Sequence, residues 1–149
     1  MFWSTLAATL VLDLTVLVTI AAPSLRIWPP PGRETWQYRA TWTLFTLSFA
    51  GFFVVGGLDA GSLGLSQWLG NAGTLILGST LFMGGTTIAS YAMGDLGLRG
   101  CLGLDAERVT DGPAVSRNPG SVGDLVLMAG YVILTDSRLA GIVAAAGGI

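Results

Sequence analysis

From Ala60 to Gly94 the chain runs for 35 residues without one Asp, Glu, Lys or Arg. A water-facing helix needs a polar face, and no charged face can be assembled here. The segment is therefore expected to lie in hydrocarbon. One bilayer span takes about 20 apolar residues, so the stretch is too long for one span and too short for two with a turn. Its Gly- and Ser-rich start, Ala60–Gln67, reads as a loop, and Trp68–Ala92 reads as a span. On that span Gly78, Gly85 and Ala89 share one helical face, at spacings of seven and four. Small residues on such a face let a second helix approach closely.

The rest of the chain follows the same pattern. Charged residues make up 11% of its 149 residues, against about 25% in a soluble domain. Phe2–Ala22 is apolar except for Asp13 and is long enough to span. A signal peptide would carry a basic leading region, and none precedes it. Ala40–Leu58 forms a second span, rich in aromatics and Thr, with Trp42 near its start and Gly56-Gly57 at its close. Val122–Leu134 is a short fourth span containing Asp124, followed by the polar turn Thr135-Asp136-Ser137-Arg138. Leu139–Ile149 is apolar again, but eleven residues cover only about 16 Å of hydrocarbon. A helix ending there leaves carbonyls unpaired in lipid, so the chain is expected to be a piece of a longer one or to have lost its end. The fold expected is an all-α integral membrane domain over 1–149. It has four transmembrane helices (2–22, 40–58, 68–92, 122–134) and a partial fifth (139–149), the last two forming a helical hairpin.

Two polar segments separate these spans. Pro23–Arg39 holds Pro29-Pro30-Pro31, which no helix can continue through, and three arginines, Arg26, Arg33 and Arg39. Asp95–Ser121 holds three more, Arg99, Arg108 and Arg117, with turn signals at Gly112-Pro113 and Asn118-Pro119-Gly120. The loop after the second span has none, and the turn after the fourth has one. The positive-inside bias then places both Arg-bearing loops in the cytosol and the N-terminus outside, in the plasma membrane.

Composition excludes several kinds of chemistry. There is no His, which removes His-based acid–base catalysis and the common zinc sites. Cys101 is alone, so it makes no intrachain disulfide or paired-cysteine metal site. Net charge is −2, with no basic patch for nucleic acid. Neither nucleic acid nor metal is expected as a partner. Two carboxylates, Asp13 and Asp124, fall inside spans, where such groups are costly and are candidates for function. Asp124 stands near the interface, where water can reach it. Asp13, near mid-span, is open to pairing with an Arg, binding a substrate, or lining an internal polar contact.

The stretch Val109–Asp124 combines two turns with Arg117 between them at the membrane surface. Arg grips a carboxylate or phosphate through two parallel hydrogen bonds, so the loop reads as an anion site, with lipid headgroups or Asp111 as the plainer partners. The order Thr110, Gly112-Pro113, Arg117-Asn118-Pro119, Gly123, then a helical hairpin, resembles the signature of isoprenylcysteine carboxyl methyltransferase-like membrane proteins, related to phospholipid methyltransferases. That resemblance implies an S-adenosylmethionine-dependent methyltransferase acting on a lipid-linked or membrane-partitioned hydrophobic acceptor. It implies a cofactor pocket at Gly112, Pro113, Arg117, Asn118, Pro119 and Gly123, with Arg117 on the cofactor's carboxylate. No catalytic residue follows from it. Three features depart from the pattern: Ala114 and Ser121 stand where the family has Tyr, and the spacer before Arg117 is one residue short. The family's later segment, with its paired Glu, lies beyond Ile149. A fragment, an inactive relative, a non-catalytic subunit or scaffold, and a transporter fragment stay open as alternatives.

Overall fold

In a computed structural model the chain is described at residues 1–25, 27, 30–101 and 119–147, with no account of side chains at 95–101 and 119. Its described elements are all helical: α1 (Phe2–Ala21), a 3-10 turn (Pro23–Leu25), α2 (Trp36–Leu58), α3 (Ser66–Cys101), α4 (Pro119–Thr135) and α5 (Arg138–Ala146). Large apolar side chains face outward, among them Ile20, Ile76 and Met83, each about 70% exposed, whereas Thr5, Thr9 and Thr74 are buried and hydrogen-bonded. That inversion suits lipid as the solvent, because polar groups must be satisfied inside. The protein is a membrane protein with three helices long and apolar enough to cross: Phe2–Ala21, Trp36–Leu58 and Ser66–Gly94. A shorter apolar helix, Gly120–Thr135, follows.

Helix boundaries depart from the sequence expectation for local reasons. α2 starts at Trp36, four residues before Ala40, because Thr35 caps it: the Tyr38 N–H donates to the Thr35 hydroxyl at 3.3 Å. α3 continues nine residues beyond Ala92, into a stretch that reads as loop, and no proline stands there to stop it. α4 starts at Pro119 rather than Val122, and the first helical position is where proline fits best. α5 has nine residues, about 14 Å of helix. Of the expected loop 95–121, residues 102–118 lie outside the described residues.

α3 and α4 run antiparallel with their backbones nearly touching. A Cβ built on Gly78 would lie 2.7 Å from the Leu134 nitrogen. A Cβ on Gly130 would meet the Phe82 nitrogen, and one on Gly85 the Leu127 nitrogen. On Gly123 it would lie 2.5 Å from the Ala89 nitrogen. Each step of four or three along α3 is matched by an equal step back along α4, so one straight seam joins the helices. Gly78, Gly85 and Ala89 on α3 thus do what their shared face suggested, and α4 is the helix they admit. Without a hydrophobic drive between helices in lipid, such close packing is a main source of association.

The remaining helices join through hydroxyls and rings. The Thr9 and Ser48 hydroxyls hydrogen-bond at 2.5 Å between α1 and α2. Trp42, Phe45, Phe49 and Phe53 climb one side of α2 with centroid separations of 5.0–5.6 Å. Phe53 meets Tyr131 of α4 at 4.7 Å, and the Tyr131 hydroxyl donates to the Phe53 carbonyl at 2.5 Å. Phe52, Ala140 and Val143 form a small fully buried core linking α2 to α5.

Two carboxylates clasp the end where α2 and α4 finish and α3 and α5 begin. Asp136, between α4 and α5, accepts from the Leu65 N–H at 2.6 Å, the Ser66 N–H at 3.1 Å and the Ser66 hydroxyl at 2.7 Å. It thereby caps α3 from a different loop. Its φ of +52° is tolerated by Asp. Asp59, at the end of α2, accepts from the Ser62 and Ser137 hydroxyls at 2.6 and 2.8 Å and from the Leu139 N–H at 2.9 Å, which caps α5. Backbone bonds Gly61 N–H to Thr135 O and Leu63 N–H to Asp136 O complete the join.

The seam and the clasp each make a prediction. Gly85→Ala should lower the thermal midpoint in detergent, because overpacking costs about 1–3 kcal/mol. Gly84→Ala, with nothing within 4 Å of its Cβ, should leave it unchanged or raise it, since Ala favours helix by up to ~1 kcal/mol. Equal midpoints for the two neighbours would dismiss the seam. In the clasp, the Ser62 hydroxyl and the Leu139 N–H hold the Asp59 carboxyl below the usual carboxylate range. Burial pushes the Asp136 carboxyl up, but the bonds from Ser66 and Leu65 outweigh it and hold that carboxyl low as well. A depressed folded-state value adds stability above the unfolded value of about 3.9, and that stability is lost as pH falls through the folded values. The midpoint should therefore be flat from pH 7 to 5 and fall below about pH 4. Asp136→Asn should lower the pH 7 midpoint and shrink the acid step. An undiminished acid step in that variant would assign acid sensitivity to other carboxylates.

Candidate functional site

The six residues of the expected cofactor pocket divide in two. Gly112, Pro113, Arg117 and Asn118 lie outside the described residues. Pro119 is the first residue of α4. Gly123 is buried in the α3–α4 seam, between the backbones of Gly85 and Ala89, so its missing side chain serves helix contact.

One turn beyond Pro119, α4 borders a half-open cavity of about 280 Å³ lined by residues of α1, α2 and α4 and by Gly147, just after α5. Its polar wall comes from Thr9 and Asp13 on α1, Ser48 on α2, and Ser121 and Asp124 on α4. Its apolar wall includes Leu12, Phe45, Phe49, Leu125 and Met128, and Gly147 also lines it. Asp13 and Asp124 sit 111 positions apart in the chain, and the fold brings both to this one space. The helical periodicity explains the α1 contribution: Thr9 and Asp13 are four apart and share a face.

The hydroxyls here are already committed. The Thr9 hydroxyl donates to the Thr5 carbonyl at 3.0 Å. Having one proton, it must therefore accept from Ser48 across the 2.5 Å contact. The carboxylates are a different case. The Asp13 Oδ2 is fully buried and has no hydrogen-bond partner. Among the described residues no basic side chain lines the cavity. Arg39 lies near Glu34 at 3.9 Å, both highly exposed, and Arg138 reaches the Ser62 carbonyl at the clasp end. No group of three or more potential metal-ligating side chains occurs among the described residues.

Sequence reasoning singled out Asp13 and Asp124 separately and missed that they share a space. It also missed Thr9 and Ser48, since a Thr or Ser in an apolar helix usually bonds back to its own backbone. The clasp was missed too, although Asp59 directly after an apolar run and Ser137 three residues before Ala140 are ordinary capping signals. Comparison of the chain with protein families, curated proteins and solved structures finds no match. The site is therefore read from its own residues.

Proposed function

We propose that this chain is an S-adenosylmethionine-dependent, methyltransferase-like membrane protein acting on a lipid-linked or membrane-partitioned acceptor. The observation that supports this reading is the order of residues Thr110, Gly112-Pro113, Arg117-Asn118-Pro119 and Gly123, running directly into the helical pair α4 and α5. The cavity adds support, because Ser121 and Asp124, at the end of the motif, border a partly polar space among the helices. In this reading Arg117 grips the cofactor's carboxylate with two parallel hydrogen bonds, and the loop around Gly112 and Pro113 shapes the pocket. Methyl transfer needs the sulfonium methyl held in line with a nucleophile and water kept away, so positioning supplies much of the rate.

The same reading makes α4 a fourth span and α5 a partial fifth. α4 has 17 residues, about 26 Å of helix, and the clasp turn at its end would lie in the interface. The Arg-bearing segments 23–39 and 95–121 then face the cytosol, with the N-terminus outside the plasma membrane.

Two measurements test this. Calorimetric titration of the purified protein in detergent should show S-adenosylmethionine binding, and Arg117→Ala should weaken it. A hydrogen bond to a charged group is worth roughly 1.5–3 kcal/mol, or about ten- to a hundred-fold in affinity. Arg108→Ala, outside the matched residues, should matter less, and Ala114→Tyr with Ser121→Tyr should tighten binding through aromatic faces on the sulfonium. No binding at millimolar cofactor in any of these proteins would remove the reading. For orientation, single cysteines on a Cys101→Ser background should label from outside intact cells at Ala60→Cys and resist labelling at Ala106→Cys. The reverse pattern would invert the topology.

A further inference from the structure

The cavity between α1, α2 and α4 has a chemistry that the cofactor motif does not explain. Two carboxylates from separate helices, Asp13 and Asp124, border one space of about 280 Å³. A carboxylate within a membrane span persists where a partner or a pathway requires it. The Asp13 Oδ2 is buried with no hydrogen bond, a condition that destabilises a folded protein. At the clasp, by contrast, Asp59 and Asp136 are each held by three hydrogen bonds. The contrast marks the Asp13 carboxylate, with Asp124 on the same space, as an acceptor that a ligand would satisfy.

We propose that this cavity is a binding site for a membrane-partitioned organic cation, an alkylammonium head held between Asp13 and Asp124. An ammonium donates to both carboxylates and neutralises charge that hydrocarbon would otherwise penalise. The rings of Phe45 and Phe49 line the same space, and aromatic faces attract cations. Leu125 and Met128 supply an apolar wall for the first carbons of a chain. The volume is close to the lower end of small-molecule pockets, about 300 Å³, and far exceeds that of a bare metal ion. A carboxylate or phosphate head is repelled by the same pair. The site stands whether or not the chain transfers methyl groups, because none of its binding chemistry involves Arg117 or the cofactor.

The test uses the full chain in a neutral maltoside detergent and two photoreactive decyl probes, one ending in an ammonium and one in an alcohol. The ammonium probe should label peptides of α1, α2 or α4 about tenfold more than the alcohol, the ratio expected for a charge-assisted contact. Unlabelled decylammonium should compete. Asp13→Asn and Asp124→Asn should each cut labelling about tenfold, while Tyr91→Phe, on the exposed side of α3, should not. The comparison of the two probes on the unaltered protein needs no variant to fold. Equal labelling by both probes, or undiminished labelling in the double Asn variant, would overturn the proposal. Displacement by sodium ion but not by decylammonium would assign the cavity to a metal ion and overturn it as well. S-adenosylmethionine titration of the same preparation reads the cofactor reading separately.

Discussion

Close approach of the α3 and α4 backbones is the contact on which the rest of the arrangement depends. Glycines at 78, 85, 123 and 130 remove the side chains that would hold the helices apart. The two helices then lock in one antiparallel register, which sets the rotation of α4. That rotation decides where the other faces of α4 point. Tyr131 turns toward Phe52 and Phe53 of α2, and Asp124, Leu125 and Met128 turn toward the cavity. A shift of α4 by one residue would move Asp124 about 100° around the helix axis and disperse the polar wall.

The clasp at the opposite end of α4 solves a different problem. Four helix ends meet there, and each leaves backbone groups without intrahelical partners. Asp136 supplies α3 with a cap, and Asp59 supplies α5 with one, so each loop satisfies the helix belonging to the other. The chain is thus tied at one end of the bundle by polar groups and along its length by backbone contact.

Much of this plan was legible from the sequence. The charge-free run from Ala60 to Gly94 demanded lipid, and three helices of spanning length are there. The small residues Gly78, Gly85 and Ala89 announced a helix contact by their spacing, though a single chain could not name α4 as the partner. Helix ends were less legible, because they depend on single caps. Thr35 extends α2 toward its start, and Pro119 reads equally well as a turn residue or as the first residue of a helix. The cavity was not legible at all. Asp13 and Asp124 carry no mutual signal, and only the seam, which fixes the rotation of α4, puts them on one space.

Division of labour among the helices follows from these constraints. α3 spends its buried face on glycine contact with α4, and its remaining surface is apolar and exposed, as at Leu75, Ile76 and Met83. It braces α4, and none of its described side chains lines the cavity. α1, α2 and α4 carry the polar groups of the cavity wall, Thr9, Asp13, Ser48, Ser121 and Asp124, and Gly147, just after α5, lies against the same space. In a solvent that offers no hydrogen bonds, a buried polar group without a partner is costly. Thr9 and Ser48 are used by each other, which leaves the Asp13 carboxylate, one turn further on the same face of α1, as a buried acceptor on the cavity wall without a partner.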